Sequence, residues 1–100
     1  MKMIYKYSLG NDIHHNGVYE VEMPKAAKIL DIQFQGINPV VWAIVNPKKE
    51  KRNYTFHVFG TGFELSDYDK KHYHYIKTIQ QPPHFNLVWH IFEVHEWDMN

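Results

Sequence analysis

The chain has 100 residues in which eleven acidic and eleven basic side chains balance, so no overall field favours general nucleic-acid binding or an anionic membrane. It has no cysteine, which excludes disulfides, cysteine-zinc sites and thiol nucleophiles. This length supports one hydrophobic core, and we expect a single β domain over residues 1–100. The first residues carry charges where a signal peptide is apolar, and no apolar run of about 18 residues occurs, so the sequence predicts a cytoplasmic protein without membrane segments.

Apolar and polar residues alternate with period two between turn signals in the first half of the chain, a pattern typical of an antiparallel sandwich or barrel. This pattern predicts strands over residues 3–9, 18–23, 28–35 and 40–45. In the third of these, Leu30, Ile32 and Phe34 alternate with polar residues and are expected on the core face. Residues 24–28 could form one helical turn, and we expect almost no other helix.

The second half of the chain predicts strands over residues 54–58, 63–65, 72–80 and 85–94. Two apolar runs, around Trp42 and Trp89, are too short for helices and read as central strands with both faces covered. The fold class that follows is all-β, a small antiparallel sandwich or barrel of about six to eight strands. The remaining expected core residues are Trp42, Ile44, Phe56, Val88 and Ile91.

Aromatic side chains are unusually frequent, since they make up 16% of the chain. A core of this size does not hide so many large rings, and aromatics are enriched on interfaces. We therefore expect a symmetric homo-oligomer, a dimer first.

The Gly60-Thr61-Gly62 segment is the best local candidate for a ligand site. Two glycines permit positive φ and close approach of a ligand, and successive amides can form a nest for an anion. A bulge or tight bend without a ligand explains the same residues. Arg52 is the only arginine and either clamps a phosphate or is solvated. The full candidate ligand-binding set is Gly60, Thr61, Gly62, Phe63, Arg52, Tyr54, His90 and Trp97.

Eight histidines suggest a metal, because His72 and His74 would share one strand face. Two ligands do not make a site, however, and half-exposed histidines between tyrosines are the simpler interpretation, so we expect no metal and no cofactor. His90 interrupts an apolar strand and is either a hydrogen-bonded core histidine or a group that faces a ligand pocket.

Catalytic signatures are weak. Neither serine lies in a Gly-x-Ser-x-Gly motif, which argues against serine hydrolysis. The carboxylates that could supply an acid-base pair are Glu64, Asp67, Asp69, Glu93 and Glu96, but their spacing does not show that any two converge. We do not expect an enzyme.

Five short segments, in order, resemble a widespread family of small proteins of unknown function encoded by bacteriophages and prophages. They are IYKY at 4–7, MPKAAKIL at 23–30, VWAIVNP at 41–47, GTG at 60–62 and VWHIFE at 88–93. In members of that family the positions of Ala26, Asn46 and Phe63 usually hold glycine, aspartate and histidine. The last two departures argue against a metal or acid-base role at those positions. The resemblance implies a phage protein that acts in the cytoplasm of a bacterial host.

Two functions of different classes remain. The first is an anti-defence sponge that sequesters a cyclic nucleotide or ADP-ribose signal through aromatic stacking, backbone amides and a few cations. The second is a protein-interaction module, either an inhibitor of a host defence protein or a minor virion component. An enzyme that degrades a nucleotide signal is a third, weaker interpretation. A deep polar pocket at a subunit boundary would favour the first function, and a flat exposed aromatic patch the second.

Overall fold

A computed structural model describes residues 1–65, 68, 72–83 and 86–95, and in these ranges the chain is built from β-strands. The strands are β1 (Met3–Ser8), β2 (Gly17–Pro24), β3 (Lys28–Gln35), β4 (Asn38–Val45), β5 (Lys51–Gly60), β6 (His72–Gln81) and β7 (Leu87–His95). The all-β prediction is thereby confirmed. Within these ranges there is no helix that is long and apolar enough to span a bilayer.

The strands form two antiparallel sheets that pack together as a sandwich. One sheet has three strands in the order β1-β4-β3, and the other has four in the order β2-β5-β7-β6. The buried residues between them are Leu9, Val21, Met23, Ile32, Val41, Ala43, Val45, Tyr54, Phe56, Val58, Ile79 and Ile91. The predicted core positions Ile32, Phe56 and Ile91 are fully buried, and Phe34 packs against the cluster.

On both Val-Trp strands, residues that the sequence predicted to lie in the core face outward instead. On β4 the buried alternate positions are Val41, Ala43 and Val45. Trp42 and Ile44 therefore lie half-buried on the outer face of the sheet, and the prediction that they belong to the core was wrong. On β7 Trp89 packs against the core, so its neighbour Val88 points the other way and is also half-buried rather than in the core. An unbroken apolar run does not reveal which alternate set faces inward.

Leu30 is 44% exposed, contrary to its predicted place in the core. The pairing of β3 with β4 shifts register between Ile29 and Asp31, which marks a β-bulge at Leu30. A bulge adds one residue to the strand and changes which alternate positions face the core. Ile29 consequently packs against the core together with Phe34, and Leu30 is the extra residue.

A second register shift lies in β6, between Tyr75 and Lys77. The two bulged strands, β3 and β6, contact each other where the edges of the sheets meet. There the Lys77 Nζ lies 3.0 Å from Asp31 Oδ1. The Asp31 carboxylate also accepts hydrogen bonds from the Ile32 amide at 2.9 Å and the Gln33 side chain at 2.6 Å. This ion pair links the two sheets.

The pKa of Asp31 reflects two opposing effects. Partial burial on its own raises the pKa, but the hydrogen bonds from Lys77, Gln33 and the Ile32 amide, together with the Lys77 charge, lower the pKa below its ordinary value of 3.8. The carboxylate therefore stabilises the fold while it is ionised. That contribution is present above the unfolded pKa and is lost as the pH falls through the lower folded pKa.

We predict that Asp31→Asn lowers the free energy of unfolding at pH 7 by about 0.5 to 1 kcal/mol, because the partly exposed ion pair between the sheets is lost. The difference from wild type should shrink as the pH falls below the ordinary carboxyl range, and urea unfolding across pH 2 to 7 measures it. Glu50→Gln is the control, since its pair with Lys25 spans 3.5 Å between largely exposed side chains and should contribute little. A constant difference at all pH values would contradict this assignment.

The turn that follows β2 holds an alanine in a strained conformation. Ala26 has a φ of 62°, in the left-handed region that favours glycine. The alanine at this position therefore lowers the stability of the fold.

We predict that Ala26→Gly raises the free energy of unfolding by about 0.5 to 1 kcal/mol, because relief of the Cβ clash exceeds the added entropy of the unfolded chain. Lys25→Gly at the neighbouring position, which has no positive φ, should instead destabilise the protein. Thermal and urea unfolding of both variants test the pair. A loss of stability in both would show that Ala26 is not strained.

Candidate ligand-binding site

The Gly60-Thr61-Gly62 segment forms a tight turn at the end of β5, after which residues 63–65 leave the sheet instead of continuing as the predicted strand. Gly62 has a φ of 89°, the value that the third residue of a type II turn requires. Position 60 requires glycine for another reason, because a Cβ there would lie 3.1 Å from the Phe63 ring and 3.2 Å from the Trp89 ring. Local geometry thus explains both glycines.

His15 joins this turn from the loop before β2. The Gly60 amide donates a hydrogen bond to His15 Nδ1 at 3.0 Å, so this amide does not serve the anion nest that the sequence suggested. Because Nδ1 accepts this bond, Nε2 is the ring nitrogen left to act as a donor. The His15 ring also stacks on Phe63 with centroids 4.0 Å apart and an interplanar angle of 19°. The stack fixes the position of the Phe63 ring.

His90 on β7 lies on the outer face of the four-stranded sheet and is half-buried there. Its Nε2 lies 2.7 Å from the Thr61 hydroxyl, and its Nδ1 lies 3.0 Å from the Thr78 hydroxyl. Thr78 in turn lies 2.7 Å from the hydroxyl of Tyr75. The result is a hydroxyl–imidazole chain that ends at the Gly60–Phe63 turn. His90 is therefore hydrogen-bonded, and it faces a cleft instead of the core.

Two shallow clefts border this turn. The first has a volume of about 240 Å³ and is lined by Phe59, Gly60, Thr61, Gly62, Phe63, Leu65, His90 and Phe92. The second, of about 280 Å³, shares Gly60, Thr61 and Phe63 and continues along residues 86–89. Phe63 is 58% exposed and Leu65 is 40% exposed, so the rim of the first cleft is apolar and open to solvent. The structure thus brings His90 next to the four consecutive residues 60–63 that were predicted to bind a ligand with it.

An aromatic layer on the outer face of the sheet supports the first cleft. His57 is only 6% exposed although it does not face the core. Its Nε2 donates to Asn16 Oδ1 at 2.8 Å, and its Nδ1 lies 3.0 Å from the Tyr73 hydroxyl. The His57 and Phe59 rings are 4.2 Å apart, and Phe92 packs edge-on against Phe59 at 5.7 Å. This layer makes the floor of the site rigid.

Sequence reasoning missed several members of the site. These are His15, Phe59, Thr78 and Phe92. Residues 56–60 are apolar except for His57. Such a run is typical of a strand with both faces covered, and it could have identified β5 as one. The contribution of His15 depends on a contact between residues 45 positions apart, which periodicity does not show.

The structure does not bring Arg52 and Tyr54 to the turn. Arg52 lies eight residues from Gly60 along β5, which is roughly 26 Å in an extended strand. Its guanidinium lies 3.7 Å from the centroid of the Tyr54 ring, a cation–π contact. Tyr54 is buried and donates to the Pro24 carbonyl at 2.6 Å while accepting from the Ala27 amide at 3.0 Å. Tyr54 is thus a structural residue, and Trp97 lies outside the described residues.

Metal ligands do not cluster in the described ranges, where no group of three or more His, Asp or Glu side chains is placed to hold an ion. His72 and His74 are both exposed on β6. Of the carboxylates considered for acid-base chemistry, Glu93 lies 3.6 Å from His95, and Asp67, Asp69 and Glu96 lie outside the described residues.

The Thr61–His90 pair has the geometry of a nucleophile and its base, with Thr78 in the position of the group that orients the base. In the Ser-His-Asp triad that third group is a carboxylate that orients the imidazole and stabilises the imidazolium ion. The Thr78 hydroxyl carries no charge and gives much less stabilisation. What the chain of hydroxyls and imidazole does is hold the Thr61 hydroxyl in place at the turn.

The chain belongs to a family of unknown function, DUF7352, whose model matches residues 1–99. No curated protein and no solved structure shows detectable similarity to it.

We predict that Gly62→Ala lowers the free energy of unfolding by about 1 kcal/mol, because alanine is strained at positive φ and nothing within 4 Å offers a compensating contact. Gly62→Asn should cost less, since asparagine tolerates this region. Urea unfolding of both variants measures the difference. Equal losses would mean that the turn does not depend on positive φ at this position.

Proposed function

We propose that the protein is a non-catalytic binding protein that holds a planar ring of nucleobase size in the first cleft. The observation that carries this proposal is the state of Phe63. One face of its ring is covered by His15 at 4.0 Å, yet the side chain is still 58% exposed. The ring is thus fixed in place with surface left for another ring, and each base that stacks on an aromatic side chain contributes about 1 to 3 kcal/mol.

The hydroxyl–imidazole chain supplies the polar half of the site. Both nitrogens of His90 are engaged by Thr61 and Thr78, so the Thr61 hydroxyl, which His90 holds in place, is the group that donates or accepts a hydrogen bond at the edge of a nucleobase. The cleft volume of about 240 Å³ is below the 300 to 1,000 Å³ typical of sites for drug-sized molecules, so it fits a single ring system.

The charges of the residues that line the clefts indicate which part of a nucleotide the site would bind. None of the described residues that line the two clefts is a lysine or arginine. Recognition through the base or nucleoside portion is therefore better supported than recognition through phosphates. A sponge that removes a nucleotide-derived signal needs binding alone, and the resemblance to phage proteins supports an anti-defence role in the bacterial cytoplasm.

A second candidate is the protein-interaction module, and the shallow rim of the clefts favours it. Phe63, Leu65 and Leu87 are 58%, 40% and 51% exposed around the clefts. Exposed apolar side chains beside a small cleft can receive an anchor residue of a partner protein.

We predict that calorimetric titration detects binding of nucleosides or of cyclic di- and trinucleotides and ADP-ribose cycles that contain the preferred base. Phe63→Ala and His90→Ala should each weaken binding about tenfold or more, because a stacking surface or an orienting group is lost. Arg52→Ala is the control at the far end of β5 and should bind as wild type does. Dichroism verifies that each variant is folded.

The possible outcomes separate the hypotheses. The absence of heat with every ligand of the panel, from folded wild type, would contradict the small-ligand function and leave the protein-interaction module. Binding that Arg52→Ala weakens and Phe63→Ala does not would place the ligand away from the first cleft.

A further inference from the structure

We infer that β1 pairs with β1 of a second copy, antiparallel about a two-fold axis, to form a dimer with a continuous six-stranded sheet. The dimer would form through the three-stranded sheet and would not involve the proposed ligand site. The sandwich has four edge strands, which are β1 and β3 of one sheet and β2 and β6 of the other.

Three of the four edges carry features that oppose pairing with another chain. Strands β3 and β6 each contain a bulge and contact one another through the Asp31–Lys77 ion pair. Strand β2 exposes Glu20 and Glu22 and ends at Pro24. Bulges, charged side chains and prolines are the usual protection of an edge strand.

Strand β1 has neither a bulge nor a proline along its described length, and Lys6 is its one charged residue. Its pairing with β4 runs from Met3 to Ser8 without a register shift. Met3, Ile4 and Tyr5 are 43%, 63% and 37% exposed. The charged Lys6 does not guard the edge, because its Nζ donates to Gln35 Oε1 of β3 at 2.6 Å, across β4. A regular, apolar and exposed edge is a template for a further strand.

The free backbone groups of this edge follow from the hydrogen-bond pattern. The Leu9 amide donates to the Pro39 carbonyl at 3.0 Å, in line with the ladder that pairs Tyr7 with Val41. Bonded and non-bonded pairs alternate in an antiparallel ladder, so odd-numbered residues of β1 bond to β4. The even-numbered residues, Ile4, Lys6 and Ser8 among them, therefore direct their N–H and C=O groups outward.

The charges of the strand select the register. A two-fold axis normal to the sheet places one residue opposite its own copy, since opposed side chains share a face. An axis at Lys6 opposes two lysines directly, and an axis at Ile4 opposes Lys6 to the partner's Lys2. An axis at Tyr5 pairs Lys6 with the partner's Ile4 and brings no like charges together. Like charges directly opposite are destabilising, so the Tyr5 axis is favoured.

In this register two copies of β1 complement each other, which is why we infer that the strand pairs with a second copy of the chain. With the axis at Tyr5, Ile4 and Lys6 exchange both backbone hydrogen bonds with the second copy's Lys6 and Ile4, and Met3 lies beside its Tyr7. The Tyr5 hydroxyl already contacts the Met3 sulfur at 3.6 Å within the strand. The same apolar and aromatic side chains then continue on one face across the junction, as sheet pairing requires.

A cysteine at the axis tests the register. The chain has no cysteine, so Tyr5→Cys carries a single thiol. Opposed residues of a non-bonded pair have Cα atoms about 4.5 Å apart, within the range of a disulfide. Under mild oxidation Tyr5→Cys should form a covalent dimer. Met3→Cys is the matched control, because in this register its copies lie four residues apart, roughly 13 Å, and should remain monomeric.

A proline at an outward position tests the edge itself. Light scattering should show that wild type changes from monomer to dimer with concentration in the micromolar range, and that Ile4→Pro remains a monomer. Ile4→Pro removes only an N–H that points away from β4, so the folded state is kept, as dichroism would show. Monomeric wild type at all concentrations, equal cross-linking of both cysteine variants, or a persistent Ile4→Pro dimer would each overturn the inference.

Discussion

The structure depends on the burial of both faces of β5. Phe56 and Val58 point into the sandwich and are fully buried, while His57 and Phe59 point outward and are almost as well buried. Because the outward histidine is polar, its two nitrogens need partners, and Asn16 and Tyr73 provide them. The same strand therefore fixes the core, holds the aromatic layer and ends at Gly60, where the candidate site begins.

The two sheets share little besides the core, so their edges determine how the sandwich is closed. On one side the bulges of β3 and β6 bring two edges into contact, and the partly buried Asp31–Lys77 pair links them. A bulge increases local twist and ends regular pairing, which closes this side to other chains. On the opposite side β1 stays regular and exposed. The two sides of the sandwich differ because the backbones of β3 and β6 are bulged and that of β1 is regular, and not because their amino-acid compositions differ.

Period-two alternation located the strands because it depends on local burial alone, but facing and convergence depend on longer-range geometry. Leu30 lies outside the core because a bulge changes the alternation. The outward facing of Trp42 could not be predicted, because its strand is apolar on both faces. The turn at Gly60 was recognisable from its glycines. Arg52 seemed close to it in sequence, but an extended strand of eight residues separates them widely, whereas His15 reaches the turn from a distant loop.

The loop before β2 holds His15 in place and, through His15, the Phe63 ring. The Asn16 amide donates to the Val58 carbonyl at 2.7 Å, and the Asn16 side chain accepts from His57. Tyr19 holds the start of the same loop by donating to the Asp12 carbonyl at 2.6 Å. His15 is thereby fixed between two anchored segments before it stacks on Phe63. A side chain positioned in this way has little conformational entropy left to lose on binding, which is what the proposed stacking role of Phe63 requires.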